Sequence, residues 1–215
     1  MNSIQQNDRG ITEQIPYGTG TIHHNLDNLT PTASEIGFLW NSYLAETMAL
    51  CFLKKWTKES TDPEIHGLLQ YTLDMTTERV AKIVNLFNSV KHPIPTAFGE
   101  KDVDINAPQL FYESFTSLYV RMMQVFIMIQ YAAASAVSYR TDFKSFFSES
   151  MRISNDIEKR ATEILLAKGI LQKHPSILTP HSIGNVNDKK YYGSYFRIFG
   201  QERPLNAIEI THIYT

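Results

Sequence analysis

The sequence predicts an all-α protein built as a four-helix bundle, with one long crossover between its second and third helices. Three observations carry that expectation. Four long stretches repeat apolar residues at alternating spacings of three and four, the period of a helix with one buried face. Only Glu59 to Thr61 separate the first two stretches, and a similarly short turn separates the last two, so each pair folds as antiparallel neighbours. Between the pairs lies "KHPIPTAFGEKDVDINA", a segment with two prolines and no helical period. Helices of this length span about 40 Å, and an extended chain as long as this segment reaches about 56 Å. The segment can therefore cross the whole bundle. Two tight hairpins joined by one crossover is the connectivity of ferritin-like bundles.

The first helix is expected over residues 32–58, with Ile36, Leu39, Tyr43, Glu46, Leu50 and Leu53 on one stripe. The second begins near Asp62, where Pro63 suits the first helical position, and carries Ile65, Leu69, Thr72, Thr76, Val80, Ile83, Phe87 and Val90. The third, over residues 108–139, has the clearest period: Phe111, Phe115, Leu118, Met122, Val125, Ile129, Ala132, Ala136 and Tyr139. That stripe is expected to form the centre of the bundle. A second apolar side with Met123, Phe126, Ile127 and Tyr131 implies contact beyond a single core. Asp142 is the expected cap of the fourth helix, which carries Phe143, Phe146, Phe147, Ile153, Ile157, Ile164 and Leu165 before Gly169 ends it.

Around this bundle, residues 29–170, the sequence predicts a flexible polar arm over residues 1–28, a linker over 171–203 and the start of a further helix over 204–215. The linker holds a dense aromatic group, Tyr191, Tyr192, Tyr195, Phe196 and Phe199. The formal net charge of −2, with dispersed basic residues, argues against nucleic acid as a partner. The most apolar run, Val125 to Val137, is short, contains Gln130 and is flanked by Arg121 and Arg140, which argues against a membrane span. The single cysteine, Cys51, forms no internal disulfide and reads as a core residue in a reducing, cytoplasmic compartment.

The chemistry-bearing residues are few. A di-metal site in such a bundle uses one Glu from each of two helices and a Glu-x-x-His pair from each of the other two. Glu46 falls on the inward stripe of the first helix, but Thr72 and Thr76 stand opposite it on the second, and helices one to four hold no Glu-x-x-His. The one such pair, Glu209 with His212, lies in the terminal stretch. Glu46, Glu209 and His212 are thus weak metal candidates, and no cofactor is expected. A buried Glu46 needs a partner. Arg79 is the first choice, ahead of Arg121, Tyr71 and Tyr119, and the expected buried polar network is Glu46, Arg79, Tyr71, Thr72 and Thr76. No phosphate loop, Cys-x-x-Cys pair or nucleophile elbow is present.

The terminal "NAIEITHIY" also repeats "TASEIGFLW": Ala207, Glu209 and Ile210 match Ala33, Glu35 and Ile36 at one constant offset. Together with "LTPTASEIGFLWNSYL", "HPIPTAFGEKDVDINAPQLF" and "GQERPLNAIEITHIY", this pattern resembles the domain of unknown function 3231 family, ferritin-like proteins of endospore-forming bacteria related to spore coat protein F. The resemblance covers Leu29 to Thr215 and implies one bundle followed by the first turns of a second, a truncated form of a tandem protein. It also implies spore association. The function expected is that of a non-enzymatic structural or interaction protein, with a protein partner or self-association. The alternatives are a di-metal carboxylate oxidoreductase or metal store, and a carrier of an apolar small molecule in the bundle core, with Met122, Met123 and Met128 lining its cavity.

Overall fold

A computed structural model describes residues 24–25, 29–174, 176 and 212–213. Most of the N-terminal arm, the aromatic group of the linker and Glu209 lie outside the described residues. Four helices form the body: α1 (Ala33–Glu59), α2 (Pro63–Ser89), α3 (Glu113–Val137) and α4 (Thr141–Ala167). There is no strand among the described residues.

Local sequence explains where the helices begin and end. At the start of α1, Thr32 and Glu35 form a capping box, which satisfies two backbone donors reciprocally. Asp62 accepts from the N–H groups of Glu64 and Ile65, with Pro63 in the first helical position. Gly169, at φ 69°, lets the chain turn back after α4, and Ile170 N–H then reaches the Leu165 carbonyl at 2.9 Å. Two expectations need correction. Asp142 is not the cap of α4 but lies in its first turn, where it accepts from Arg140 and from Phe143 N–H. The third helix begins at Glu113 rather than Pro108, because the chain is still extended at Tyr112, with ψ 153°.

The residues that share the core give the helix directions. One cluster joins Leu53 and Trp56 of α1, Ile65 and Leu69 of α2, Val120 of α3 and Ile157, Ala161 and Leu165 of α4. The other joins Leu39, Ile83, Phe87, Tyr131, Phe143 and Phe147 from the opposite helix ends. It follows that α1 is antiparallel to α2 and α3, α4 is antiparallel to both as well, and α2 runs parallel to α3. The crossover makes that parallel pair possible. It runs along the outer side of α1, where Cys51 Sγ lies 3.5 Å from the Gly99 carbonyl, Lys58 donates to Asn106 and Lys55 donates to the Ala107 carbonyl.

The two hairpins follow one plan. The buried residues of α2, from Ile65 and Leu69 through Thr72, Thr76, Arg79 and Ile83 to Phe87, recur in the same order and at one constant offset in α4, as Phe143, Phe147, Ser150, Ser154, Ile157, Ala161 and Leu165. The same offset takes Leu39, Glu46 and Trp56 of α1 to Ser117, Gln124 and Ala134 of α3. In α2 the stripe passes through Arg79, not Val80 as its hydropathy suggested.

The larger correction concerns α3. Its inward face carries Thr116, Ser117, Val120, Gln124, Tyr131 and Ala134, while the most apolar stripe faces out, with Met122 66% and Ile129 64% exposed. At the end of the core filled by Phe143, Phe146 and Phe147 of α4, α3 presents Tyr131 and Ala134 inward, whereas its small and polar inward residues Thr116, Ser117 and Gln124 lie toward the middle and the other end.

Each hairpin is gripped by a carboxylate from the other. Glu35, at the start of α1 and fully buried, accepts at 2.8 Å from both Tyr139 N–H and Arg140 N–H in the turn between α3 and α4. Glu113, its counterpart at the start of α3, accepts from Thr61 N–H and, at 3.1 Å, from Asp62 N–H in the turn between α1 and α2. Burial alone would raise the pKa of Glu35, but the N–H groups of Thr32, Arg140 and Tyr139 outweigh it and hold the carboxyl below its ordinary value. A carboxylate lowered in the folded state stabilises above its unfolded pKa and loses that contribution as pH falls through the folded one. Glu35→Gln should therefore cost about 1–3 kcal/mol at pH 7 and flatten the loss of stability on acidification. Urea melts at pH 7 and pH 3 measure both; an unchanged pH 7 midpoint would show that the clasp contributes nothing.

Candidate functional site

Between the two apolar clusters lies a polar layer formed by all four helices. Glu46 of α1 is 2% exposed and Arg79 of α2 1%. Arg79 Nη1 donates to Glu46 Oε1 at 3.0 Å and to Ser154 Oγ of α4 at 3.1 Å, and the Tyr131 hydroxyl of α3 donates to the same Glu46 oxygen at 2.7 Å. Burial first, and then the Glu46 charge, push the Tyr131 phenol well above its ordinary pKa, so it remains a hydrogen-bond donor. Thr76 and Gln124, each 1% exposed, complete the layer with Thr72, whose hydroxyl donates to the Leu68 carbonyl of its own helix.

The layer is only partly hydrogen-bonded. Glu46 Oε2, Arg79 Nε, Arg79 Nη2 and Gln124 Oε1 are buried with no hydrogen-bond partner among the protein's own groups. Beside it, a cleft of about 280 Å³ opens between α1 and α3, walled by Phe38, Ala45, Phe126 and Ile127 and reaching Glu46 and Tyr131. None of Met122, Met123 and Met128 lines it. Met122 faces outward instead.

Of the residues expected in the network, Glu46 and Arg79 meet directly, and Thr76 and Thr72 lie buried one and two helical turns from Arg79 on its face. Tyr71 does not join them. Its hydroxyl donates to Asp156 at 2.9 Å, and the Arg160 guanidinium lies 4.1 Å from its ring centre on the outer side of the α2–α4 pair. Tyr119 packs on Trp56, and Arg121 pairs with Glu158 at 3.0 Å. Tyr131 and Ser154 are the partners that sequence reasoning missed. Ser154 sits between Ser150 and Ile157 among the buried residues of α4, at the place that Thr76 holds in α2, and that repeat is the signal that could have found it.

The metal candidates do not converge. No three His, Cys, Asp or Glu side chains gather among the described residues, Glu209 lies outside those residues, and His212 is exposed. Cys51 is buried beside the crossover, and burial, followed by Asp102, raises its thiol pKa, the opposite of what a nucleophile requires.

The outward face of α3 is the second distinctive surface. Both α1 and α3 are long and apolar enough to cross a membrane by length and composition alone, α3 with a mean hydropathy of 1.3 over its most apolar window. The run from Val125 to Val137 is therefore part of a longer apolar helix. In this fold both helices contribute to the polar layer on their inner sides.

Comparison with known proteins agrees with this architecture. The family model described as "Protein of unknown function (DUF3231)" matches residues 23–183. The fold is similar to that of a candidate spore coat protein from Bacillus halodurans C-125, with a TM-score of 0.63 and 14% identity, over 73% of this chain and 100% of that one. It is also similar to a conserved hypothetical protein from Mycobacterium tuberculosis, with a TM-score of 0.51 and 12% identity, over 62% of this chain and 98% of that one. At these identities the similarity concerns the fold alone. No curated protein matches the sequence significantly.

The ion pair makes an asymmetric prediction. Glu46→Leu strands a buried guanidinium and should cost about 3–5 kcal/mol, whereas Glu46→Leu combined with Arg79→Met removes both charges and should recover most of that loss. Urea denaturation of the three proteins tests it; additive losses in the double variant would show that the two side chains are not coupled.

Proposed function

The chain belongs to the DUF3231 family, and from its site we propose a ferritin-like bundle protein with a non-enzymatic, structural or interaction role. The observation that carries this reading is the identity of the residues in the polar layer. A di-metal bundle takes one Glu from each of two helices and a Glu-x-x-His pair from each of the others. The buried positions with that arrangement here are Glu46 of α1, Thr76 and Arg79 of α2, Gln124 of α3, and Ser154 and Ile157 of α4. The second hairpin supplies its three at the same constant offset as the rest of its core.

This donor set does not fit two hard cations, which need several carboxylates and imidazoles. It offers one carboxylate and no imidazole, and the Arg79 guanidinium, within hydrogen-bond distance of Glu46 and Ser154, already supplies a positive charge. The layer acts as an internal strut. Function then falls to the surface, where the uncovered apolar face of α3 supports a protein partner or self-association. The similarity to a candidate spore coat protein supports a place in the spore, whose coat is a protein assembly.

Metal analysis by inductively coupled plasma on protein purified without chelators should find well under one iron or manganese per chain. Two metals per chain would overturn the structural reading in favour of a metal store or oxidoreductase.

A further inference from the structure

Along the outward side of α3, Phe115, Tyr119, Met122, Phe126, Ile129, Ala133 and Ala136 follow one another at spacings of four and three without interruption. That is the seam of a helix that packs lengthwise against another helix. Within the bundle it has no such partner: Phe126 is 60% exposed, Ala133 and Ala136 are exposed, Tyr119 is partly covered by Phe52 and Trp56 of α1, and Phe115 stacks on Phe111. The cleft beside Glu46 opens next to Phe126 on this same face, and the linker aromatics lie outside the described residues.

We propose that the seam is covered by a second copy of this chain, with the two α3 helices antiparallel across a two-fold axis near residue 124. This rests on the interaction role proposed above and names the partner. Three features of α3 support a second copy. First, the seam tapers: its N-terminal half is bulky, with Phe115 and Tyr119, and its C-terminal half is small, with Ala133 and Ala136. Antiparallel pairing sets Phe115 against the partner's Ala133, Tyr119 against the partner's Ile129 and Met122 against the partner's Phe126, which keeps the two axes evenly spaced. Parallel pairing would set bulk on bulk at one end and leave a gap at the other.

Second, the face does not repel itself. The only charged residues of α3 are Glu113 and Arg121; Glu113 is engaged by the α1–α2 turn and Arg121 by Glu158. An isologous interface needs this kind of self-complementarity. Third, the area suffices. Phe111, Phe115, Met122, Phe126 and Ile129, with Met48 and Phe52 of the adjoining α1, are on average about half exposed, which at about 200 Å² per large side chain gives roughly 700 Å². A standard interface buries about 800 Å² per partner. The cleft beside Phe126 adds a socket for a partner side chain close to the axis.

Sedimentation equilibrium and cysteine cross-linking of the full chain test this. The wild type at about 50 µM should sediment at twice its 24.6 kDa, and Ile129→Glu, at an exposed position, should be monomeric with unchanged helical circular dichroism. In a Cys51→Ala background, Phe115→Cys and Ala133→Cys should form a disulfide when mixed but not alone, since each is about 27 Å or more from its own copy along an antiparallel pair. Self-linked Phe115→Cys would show a parallel pair and overturn the proposal.

A wild-type monomer at that concentration would also overturn it, and binding of 8-anilinonaphthalene-1-sulfonate then decides the underlying reading. Dye binding abolished by Ile129→Glu would leave an interaction surface for a different protein. Dye binding unaffected by that substitution, or absent, would remove the interaction reading too. Cosedimentation of the wild type, but not of Ile129→Glu, with phosphatidylglycerol vesicles would assign the face to a membrane and overturn both.

Discussion

A buried guanidinium is the constraint around which this bundle is arranged. Arg79 is 1% exposed, and a charge at that depth is tolerated only with an opposite charge and hydrogen-bond acceptors in reach. Glu46 supplies the charge from α1, Ser154 an oxygen from α4, and Tyr131 of α3 steadies the same carboxylate oxygen. Four helices are thereby fixed at one height. A slip of one turn by any of them would separate Arg79 from a partner, whereas a purely apolar layer would tolerate the slip by repacking. A buried ion pair is often no more stabilising than the apolar residues that could replace it. The layer's contribution is to register, the best-attested use of buried polar groups.

The bundle's ends are fixed on a similar principle with a different distribution of charge. Glu35 and Glu113 hold equivalent places in the two hairpins, and each binds backbone N–H groups in the other hairpin's turn. A carboxylate that accepts several N–H bonds needs no countercharge in order to be buried. The symmetry of the two hairpins therefore holds at the ends and breaks in the middle, where Glu46 and Arg79 are matched by Gln124 and Ile157. One ion pair at the centre is self-neutralising. A second pair would double the desolvation cost for the same registration.

The sequence carried much of this, unevenly. Helix limits are legible where a capping side chain opens a helix, as at Thr32 and Asp62, or a glycine at positive φ closes one, as at Gly169. The hairpins and crossover followed from loop length, and the match of Glu46 to Arg79 from stripe position together with the need for a countercharge. Hydropathy misleads where it alone chooses a face. On α3 the greasiest period marks the outside, while the buried register carries Ser117 and Gln124, which give no hydropathy signal. Tyr71 was placed in the network on chemistry alone, yet an aqueous-side carboxylate and a stacked guanidinium offered its hydroxyl and ring an easier arrangement. Ser154 was hidden because small polar residues carry almost no periodic signal, although the repeat that relates the two hairpins would have revealed it as the counterpart of Thr76.

The inversion of α3 ties the interior to the surface. A helix that presents Thr116, Ser117 and Gln124 inward beside Val120, Tyr131 and Ala134 contributes limited apolar area to its own bundle, so the other three helices supply most of the cohesion, with Leu53, Leu69, Ile157 and Leu165 at one end and Leu39, Ile83, Phe87, Phe143 and Phe147 at the other. The apolar content that α3 does have, at Phe115, Met122, Phe126 and Ile129, is spent on the side that the fold leaves in water. Such a distribution lowers the stability of the isolated bundle and favours any state that covers the seam, by about 25 cal/mol for each Å² of apolar surface removed from water. In the proposed pairing, folding and association are linked through one helix. Its inner face specifies how the four helices align, and under that pairing its outer face would make the aligned bundle more stable in the assembly than alone.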